Sequence, residues 1–306
     1  MELFIEKEFL EDFEIDFDNN PIKKIVKNII TSYGDKRVFV NYDENEFVTL
    51  KVEYEFFALI CSTSSPIPVE KIEEEVRKSN FSQTLVFSRN EESWHKEIEE
   101  KGGWCFSFEN YQSKIESIIE TLHFKVDLST RFNGWHLLDF SEVPFNNLQI
   151  TDGYILKDEK TIQQNLFPLI ETLINQKKDK VAIDILVKEV GFKTATEEKK
   201  KEFAKKQYQK LNSKFSSLIK LKIYLSNLLN DIDLHDRTVF TNFSILESGV
   251  GFSVVNKKIS NSQMLSTSIF EKYTYDRLKR LKSYQQKYID KLNSSGFQST
   301  KFYKYP

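Results

Sequence analysis

Between Thr84 and Leu122 the chain changes pattern repeatedly, and this alternation is what most restricts the folds open to it. TLVFS (84–88) reads as a buried strand, and SWHKEIEEKGG as a helix closed by Gly102. WCFSF (104–108) reads as a second strand, and ENYQSKIESIIETL as a helix with Tyr111, Ile115, Ile118 and Ile119 on its apolar face. Strands that alternate with helices pair side by side through helical crossovers, so the expected class is α/β with a mostly parallel sheet. Upstream, LFIEKEFL is a short apolar run ending in acids, Ile22, Ile25, Val26, Ile29 and Ile30 keep a helical spacing, and RVFVNY (37–42) has strand composition. PVEKIEEEVRKS reads as an amphipathic helix with Pro68 near its start.

A second α/β pattern follows residue 147. LQITDGYIL is an expected strand, TIQQNLFPLIETLIN a helix and KVAIDILVKEV a strand. A basic helix then runs through EEKKKEFAKKQYQKLNSKF, with Phe203, Tyr208, Leu211 and Phe215 as its buried face. LKIYLSN, two short strands within HDRTVFTNFSILESGVGFSVV, and the helix RLKRLKSYQQKYIDKL complete the chain. Residues 127–147 mix Asn, Pro and Asp and read as a junction, which divides the chain into an acidic domain at 1–126 and a basic domain at 148–306.

The charges divide with the patterns. Residues 1–150 carry 16 Lys+Arg against 29 Asp+Glu, a formal −13, and residues 151–306 carry 28 against 17, or +11. Such asymmetry marks two domains or an anion-binding region. With 40% hydrophobic residues and 26 Phe the chain can bury real cores, which excludes global disorder. No run approaches the roughly 18 uncharged apolar residues of a membrane span, and the acidic start MELFIEKEFLEDF is unlike a signal peptide, so a cytoplasmic protein is expected. Cys61 and Cys105 suggest neither a disulfide framework nor a zinc site and read as buried thiols.

His235, Arg237 and Asn242 stand at H-x-R-x4-N spacing, and Ser248-Gly249-Val250-Gly251 follows. This is similar to the phospholipase D signature, with Arg237 in place of Lys and Asn242 in place of Asp. Asp152-Gly153-Tyr154-Ile155, Gln164-Asn165-Leu166, Ile183-Asp184-Ile185-Leu186 and His235-Asp236-Arg237 occur in order over roughly 148–270. In that order they resemble the degenerate phospholipase D-like domain at the C-terminus of MIT-domain proteins. The resemblance implies a phosphodiester site in which His235 is the nucleophile, Arg237 holds charged oxygens and Asn242 stands where a carboxylate would orient the ring. It further implies ligand contacts at Asp152, Tyr154, Gly249, Gly251 and Lys257. One motif per chain implies a homodimer that pairs two His235 side chains. A histidine satisfied in a strand-end turn is the plainer alternative.

Ten lysines lie between Lys193 and Lys222, and Lys257, Lys258, Arg277, Lys279, Arg280 and Lys282 add to the same half. A polyanion would suit this surface, whether nucleic acid or an anionic membrane surface. In the acidic half, Glu6 after the first strand and Asn90-Glu91-Glu92 after a later one resemble, weakly, the layout of PIN-like nucleases. Glu6, Glu91 and Glu92 are therefore candidate ligands for Mg²⁺ or Mn²⁺. An exposed acidic face through Glu8, Glu11, Asp12, Glu14, Asp16 and Asp18 is the alternative, and His95 and His123 read as core or surface residues.

The chain is thus expected to be a two-domain protein that binds nucleic acid or another phosphodiester polyanion. As an enzyme it would be a nuclease, or else the sensor-effector of a prokaryotic defence system. The competing expectation is a non-catalytic scaffold that binds anionic lipid or associates with itself.

Overall fold

The computed structural model describes residues 1–13, 20–138, 140, 143–175, 177–188, 196–215, 217–226, 237–293 and 302–305. The chain forms two α/β units, each with its own sheet. The first comprises Met1–Glu120, Pro144–Asn146 and Ser268–Asp276, and the second Thr121–Val143, Asn147–Thr267 and Arg277–Pro306. Residues 127–147, expected as a junction, lie in the second unit apart from Pro144–Asn146, and the change of unit falls at 120/121. Charge follows the units: the first carries 15 Lys+Arg against 28 Asp+Glu (−13), the second 29 against 18 (+11).

The first sheet contains β1 (Glu2–Ile5), β2 (Arg37–Val40), β3 (Ile67–Pro68), β4 (Thr84–Ser88) and β5 (Trp104–Ser107), in the order β3-β2-β1-β4-β5. Every pairing is parallel. The strands are apolar on both faces, as a sheet with helices on both sides requires: Leu3, Phe4, Ile5, Leu85, Val86 and Phe87 are all buried. The helix Pro21–Ser32 starts where Asn20 accepts the amides of Ile22 and Lys23 and Pro21 supplies a pre-set φ, and it buries Ile22, Val26, Ile29 and Ile30. The helix His95–Glu100 is closed by Gly102, whose φ is +105°. A side chain there would meet Asn146 N at 2.8 Å and Phe145 C at 3.0 Å.

Pro68 does not open a helix. It lies in β3, paired with Val40, and the helix begins at Ile72. An edge strand tolerates a residue with no N–H to offer, which is why proline is admitted at this margin of the sheet.

Ser268–Asp276 is held within the first unit by two tyrosines. Tyr33 and Tyr275 stack with ring centroids 4.2 Å apart, the Tyr33 hydroxyl donates to Ile269 O, and the Tyr275 hydroxyl donates to Gly34 O. Burial pushes the Tyr275 hydroxyl up to about 12, so it stays a donor across the working pH range. Phe270 meets Phe106 edge-on at 6.0 Å. Tyr275→Phe is expected to cost about 1 kcal/mol, the worth of one hydrogen bond, in urea unfolding with unchanged m.

The second unit is built on β6 (Phe124–Asp127), β7 (Asn147–Thr151), β8 (Val181–Lys188), β9 (Ile219–Ser226), β10 (Arg237–Phe240), β11 (Ser244–Ser248), β12 (Gln263–Ser268) and β13 (Phe302–Tyr305). Their order is β13-β9-β8-β7-β10-β11-β12-β6. β7, β8 and β9 are parallel and are joined by the helical stretch between Glu159 and Ile174 and by the helix Glu197–Phe215. β10 then runs antiparallel to β7 and to β11. The first strand in chain order is β6, ahead of the expected LQITDGYIL, and that segment turns out of the sheet at Asp152. Of the basic helix, Leu211 and Phe215 are buried, while Lys210 pairs with Glu159 and Lys214 with Glu171. Among the described residues no helix is long and apolar enough to cross a membrane.

Candidate functional site

Asp152 stands at the carboxyl end of β7 and is almost fully buried. Its Oδ1 accepts the Tyr154 amide at 2.8 Å and its Oδ2 accepts the Phe252 amide at 2.7 Å. Burial raises the carboxyl above the usual range, against the pull of those two amides and of the Arg237 and Lys157 cations. The Phe252 amide comes close because residue 251 is glycine: its φ is +86°, and a Cβ on it would sit 2.8 Å from Asp152 Oδ2. Ser248 fixes the same turn by donating its hydroxyl to Gly251 O at 2.7 Å.

Arg237 opens β10 opposite Ser248 of β11, and its Nη1 donates to Gly249 O at 2.5 Å. That bond holds one nitrogen of the guanidinium at the rim of the turn, and the side chain stays partly exposed. Gly249 has a different role from Gly251: a Cβ there would meet nothing within 4 Å, so what it supplies is its carbonyl. Tyr154 is 41% exposed at the edge of the same region.

Lys257 is exposed and donates to the carbonyl and hydroxyl of Ser253. Burial and then the neighbouring Lys157 and Lys160 lower its ammonium pKa, against the opposing pull of Asp158 and Asp152. Like charges that disfavour one another in this way are relieved by an anion. The structure thus brings together Asp152, Tyr154, Arg237, Gly249, Gly251 and Lys257, and adds Lys157 and Lys160, which the sequence reading missed. The spacing K-D-E-K at the head of a helix capped by Asp158 was their available signal.

One member of the expected site lies outside the described residues, and another stands elsewhere. His235, with Asp236, lies outside the described residues. Asn242 is fully buried at the other end of β7, where its Oδ1 accepts the Asn147 amide at 3.1 Å. At about 3.3 Å per strand residue, that is roughly 16 Å along β7 from Asp152. Asn242 serves as a structural acceptor, and the missing carboxylate charge at this position leaves the cationic cluster unaffected.

No protein family model matches the chain, and no curated protein matches it either.

In the first unit the strand order reverses between β1 and β4, the crevice where open parallel sheets place ligands. Here the protein's own groups bridge it. Glu6 Oε2 accepts the Arg89 amide at 2.8 Å and the Arg89 side chain pairs with Asp12 at 3.2 Å, while on the β2 side Asn41 accepts the Lys7 amide at 2.7 Å. Glu6 has a raised carboxyl pKa, first through burial and then through Glu8 and Glu92, while Glu91 is exposed. Among the described residues no three His, Cys, Asp or Glu side chains converge as metal ligands, so Glu6, Glu91 and Glu92 are not brought together as a centre for Mg²⁺ or Mn²⁺. Glu14, Asp16 and Asp18 lie outside the described residues.

His95 is buried next to this crevice with both ring nitrogens engaged. Nδ1 accepts the Glu92 amide at 3.3 Å, which puts the proton on Nε2 facing Ser88 Oγ at 3.2 Å, and that hydroxyl donates to Asn90 O at 2.7 Å. The circuit is closed and neutral. Burial, aided by Lys114, pushes the imidazole down to about 4. Because the folded value lies below the unfolded one of about 6.5, the unfolded chain takes the proton first. The contribution of His95 to stability is complete above that pH and is lost as the pH falls towards 4. Urea titrations at a series of pH values should show uptake of close to one more proton on unfolding across this window in the wild type than in His95→Gln.

Proposed function

We propose that the second unit binds a phosphodiester polyanion, in the first instance nucleic acid, on the cationic rim formed by Arg237, Lys157, Lys160 and Lys257. The observation that carries the reading is the turn at the carboxyl end of β7, where the buried Asp152 holds the Tyr154 and Phe252 amides and Arg237, donating to Gly249 O, stays partly exposed at its rim. Asp152 fixes the turn that presents the cations, and its own charge is already spent on two backbone amides. The net +11 of this unit favours encounter with a polyanion. The likeness of the His235-x-Arg237 segment and of the Ser248–Gly251 turn to a degenerate phospholipase D-like site supports a phosphodiester as the group recognised. Cytoplasmic residence accords with such a ligand.

Fluorescence anisotropy of labelled oligonucleotides across a salt series tests the proposal. Four phosphate contacts predict slopes of log K against log salt of about −2.8 for single strands and about −3.6 for duplex. Binding without salt dependence would refute it, and sedimentation with anionic vesicles but not with nucleic acid would assign the rim to lipid.

A further inference from the structure

The two outer strands of the first sheet are closed by the chain itself. On β5 the Cys105 amide donates to Glu99 Oε1 at 3.2 Å, Cys105 O accepts the Lys114 ammonium at 2.8 Å, and the Ser107 amide donates to Asn110 Oδ1 at 2.9 Å. β3 is two residues long and ends in Pro68, which has no N–H to offer. β6, an outer strand of the second sheet, is left open. Leu128 N donates to Ser262 O at 2.9 Å, which turns the backbone groups of residues 124, 126 and 128 towards β12. By the alternation of an antiparallel ladder, Lys125 and Asp127 direct their N–H and C=O groups the other way. Among the described residues Asp127 O accepts the Thr130 hydroxyl at 3.0 Å, and the N–H and C=O of Lys125 have no partner.

A bare backbone edge recruits another strand, and the side chains of β6 select which one. Lys125 and Asp127 are exposed on one face, and Phe124 and Val126 are half-buried on the other. Against a second β6 related by a two-fold axis, outward groups must meet outward groups, so three registers are open at the centre of the strand: Lys125 opposite Lys125, Asp127 opposite Asp127, or Lys125 opposite Asp127. The first two set like charges against each other. The third, centred on Val126, gives two Lys–Asp pairs and places Val126 against its own copy. Ser129 donates its amide and hydroxyl to the Asp127 carboxylate at 2.8 and 2.7 Å, which keeps that group ionised. An open cleft of about 480 Å³ beside β6 is lined by Phe124, Val126 and Leu137, the last 59% exposed, so pairing has apolar surface to cover as well.

We propose that β6 pairs with β6 of a second copy of this chain, antiparallel about Val126, so that the sheets of two second units join into one. The contact requires neither His235 nor the cationic rim.

Val126→Cys tests the position. In a non-hydrogen-bonded antiparallel pair the two Cα atoms lie about 4.5 Å apart, within the span of a disulfide. The variant should therefore cross-link to a dimer in a glutathione redox buffer, whereas Lys125→Cys and the wild type, with its own Cys61 and Cys105, should not. Lys125→Glu and Asp127→Lys test the register by sedimentation equilibrium. At tens of micromolar the wild type should have twice the 36.1 kDa mass of one chain. Each variant alone sets like charges opposite one another and should dimerise roughly 10- to 100-fold more weakly. Mixed in equal amounts, the two set opposite charges against each other at both pairs and should recover the wild-type affinity, which also shows that both are folded. The cysteine variants decide the matter independently should loss of the Ser129 contacts unfold Asp127→Lys. A wild type that sediments as a monomer at this concentration would overturn the proposal, as would a dimer that neither charge reversal weakens, or cross-linking of Lys125→Cys as efficient as that of Val126→Cys.

Discussion

Gly251→Ala is expected to destabilise the second unit by roughly 2–4 kcal/mol, through left-handed backbone strain and the displacement of a buried carboxylate from its amides. The two effects have one origin. At φ +86° a side chain is already strained, and its Cβ would lie 2.8 Å from Asp152 Oδ2, in a place that cannot yield because Oδ1 is bound to the Tyr154 amide. If Asp152 moves, the Phe252 amide loses its acceptor in a buried setting. Gly249→Ala, two residues away, should stay within about 0.5 kcal/mol of the wild type, because its Cβ would meet open space. Urea unfolding of the two variants side by side is the check. Equal stability of both would show that the Asp152 contact does not govern the turn.

Arg237→Ala should weaken binding of a nucleic acid strand by about 10- to 150-fold, corresponding to the 1.5–3 kcal/mol of a hydrogen bond to a charged group, and reduce the salt slope by about one unit. Arg237→Lys should recover only part of this. The arginine fork gives Nη1 to Gly249 O and keeps further N–H groups on the same plane for a phosphate, whereas a single ammonium must divide its donors between them. Lys257→Ala should act in the same direction. A variant series in which affinity falls but the salt slope does not change would show that these side chains support the fold of the turn and make no phosphate contact.

Much of the first unit was legible because local signals agree there. Thr84–Ser88 and Trp104–Ser107 are short buried runs bounded by turns, and the spacing of Ile22, Val26, Ile29 and Ile30 marks the buried face of the helix Pro21–Ser32. The second unit hides more, since its antiparallel half is assembled from partners far apart in the chain: β6 pairs with β12, Phe124 opposite Ser266. No local pattern contains that register. Asn242 illustrates a different failure. Five residues separate it from Arg237, an odd number that sends side chains to opposite faces of an extended strand, so the spacing itself argued against a shared pocket. The spacing of two that would put His235 and Arg237 on one strand face falls partly outside the described residues, and Gly249 and Gly251, grouped with Arg237 by the family resemblance, do different work. Charge was the signal that survived folding best, because a sum over a hundred or more residues is indifferent to which strand pairs with which.

The segment Ser268–Asp276, clamped by Tyr33 and Tyr275, has a consequence for how this protein can be inherited. A gene fragment encoding residues 1–120 would specify a first unit without Ile269, Phe270 and Tyr275, all of them buried. A recombination event that captured the first unit whole would have to carry residues 1 to 276, and with them most of the second unit. The acidic and basic units are therefore expected to travel through evolution as a single cassette, whose members cannot be exchanged by a single crossover.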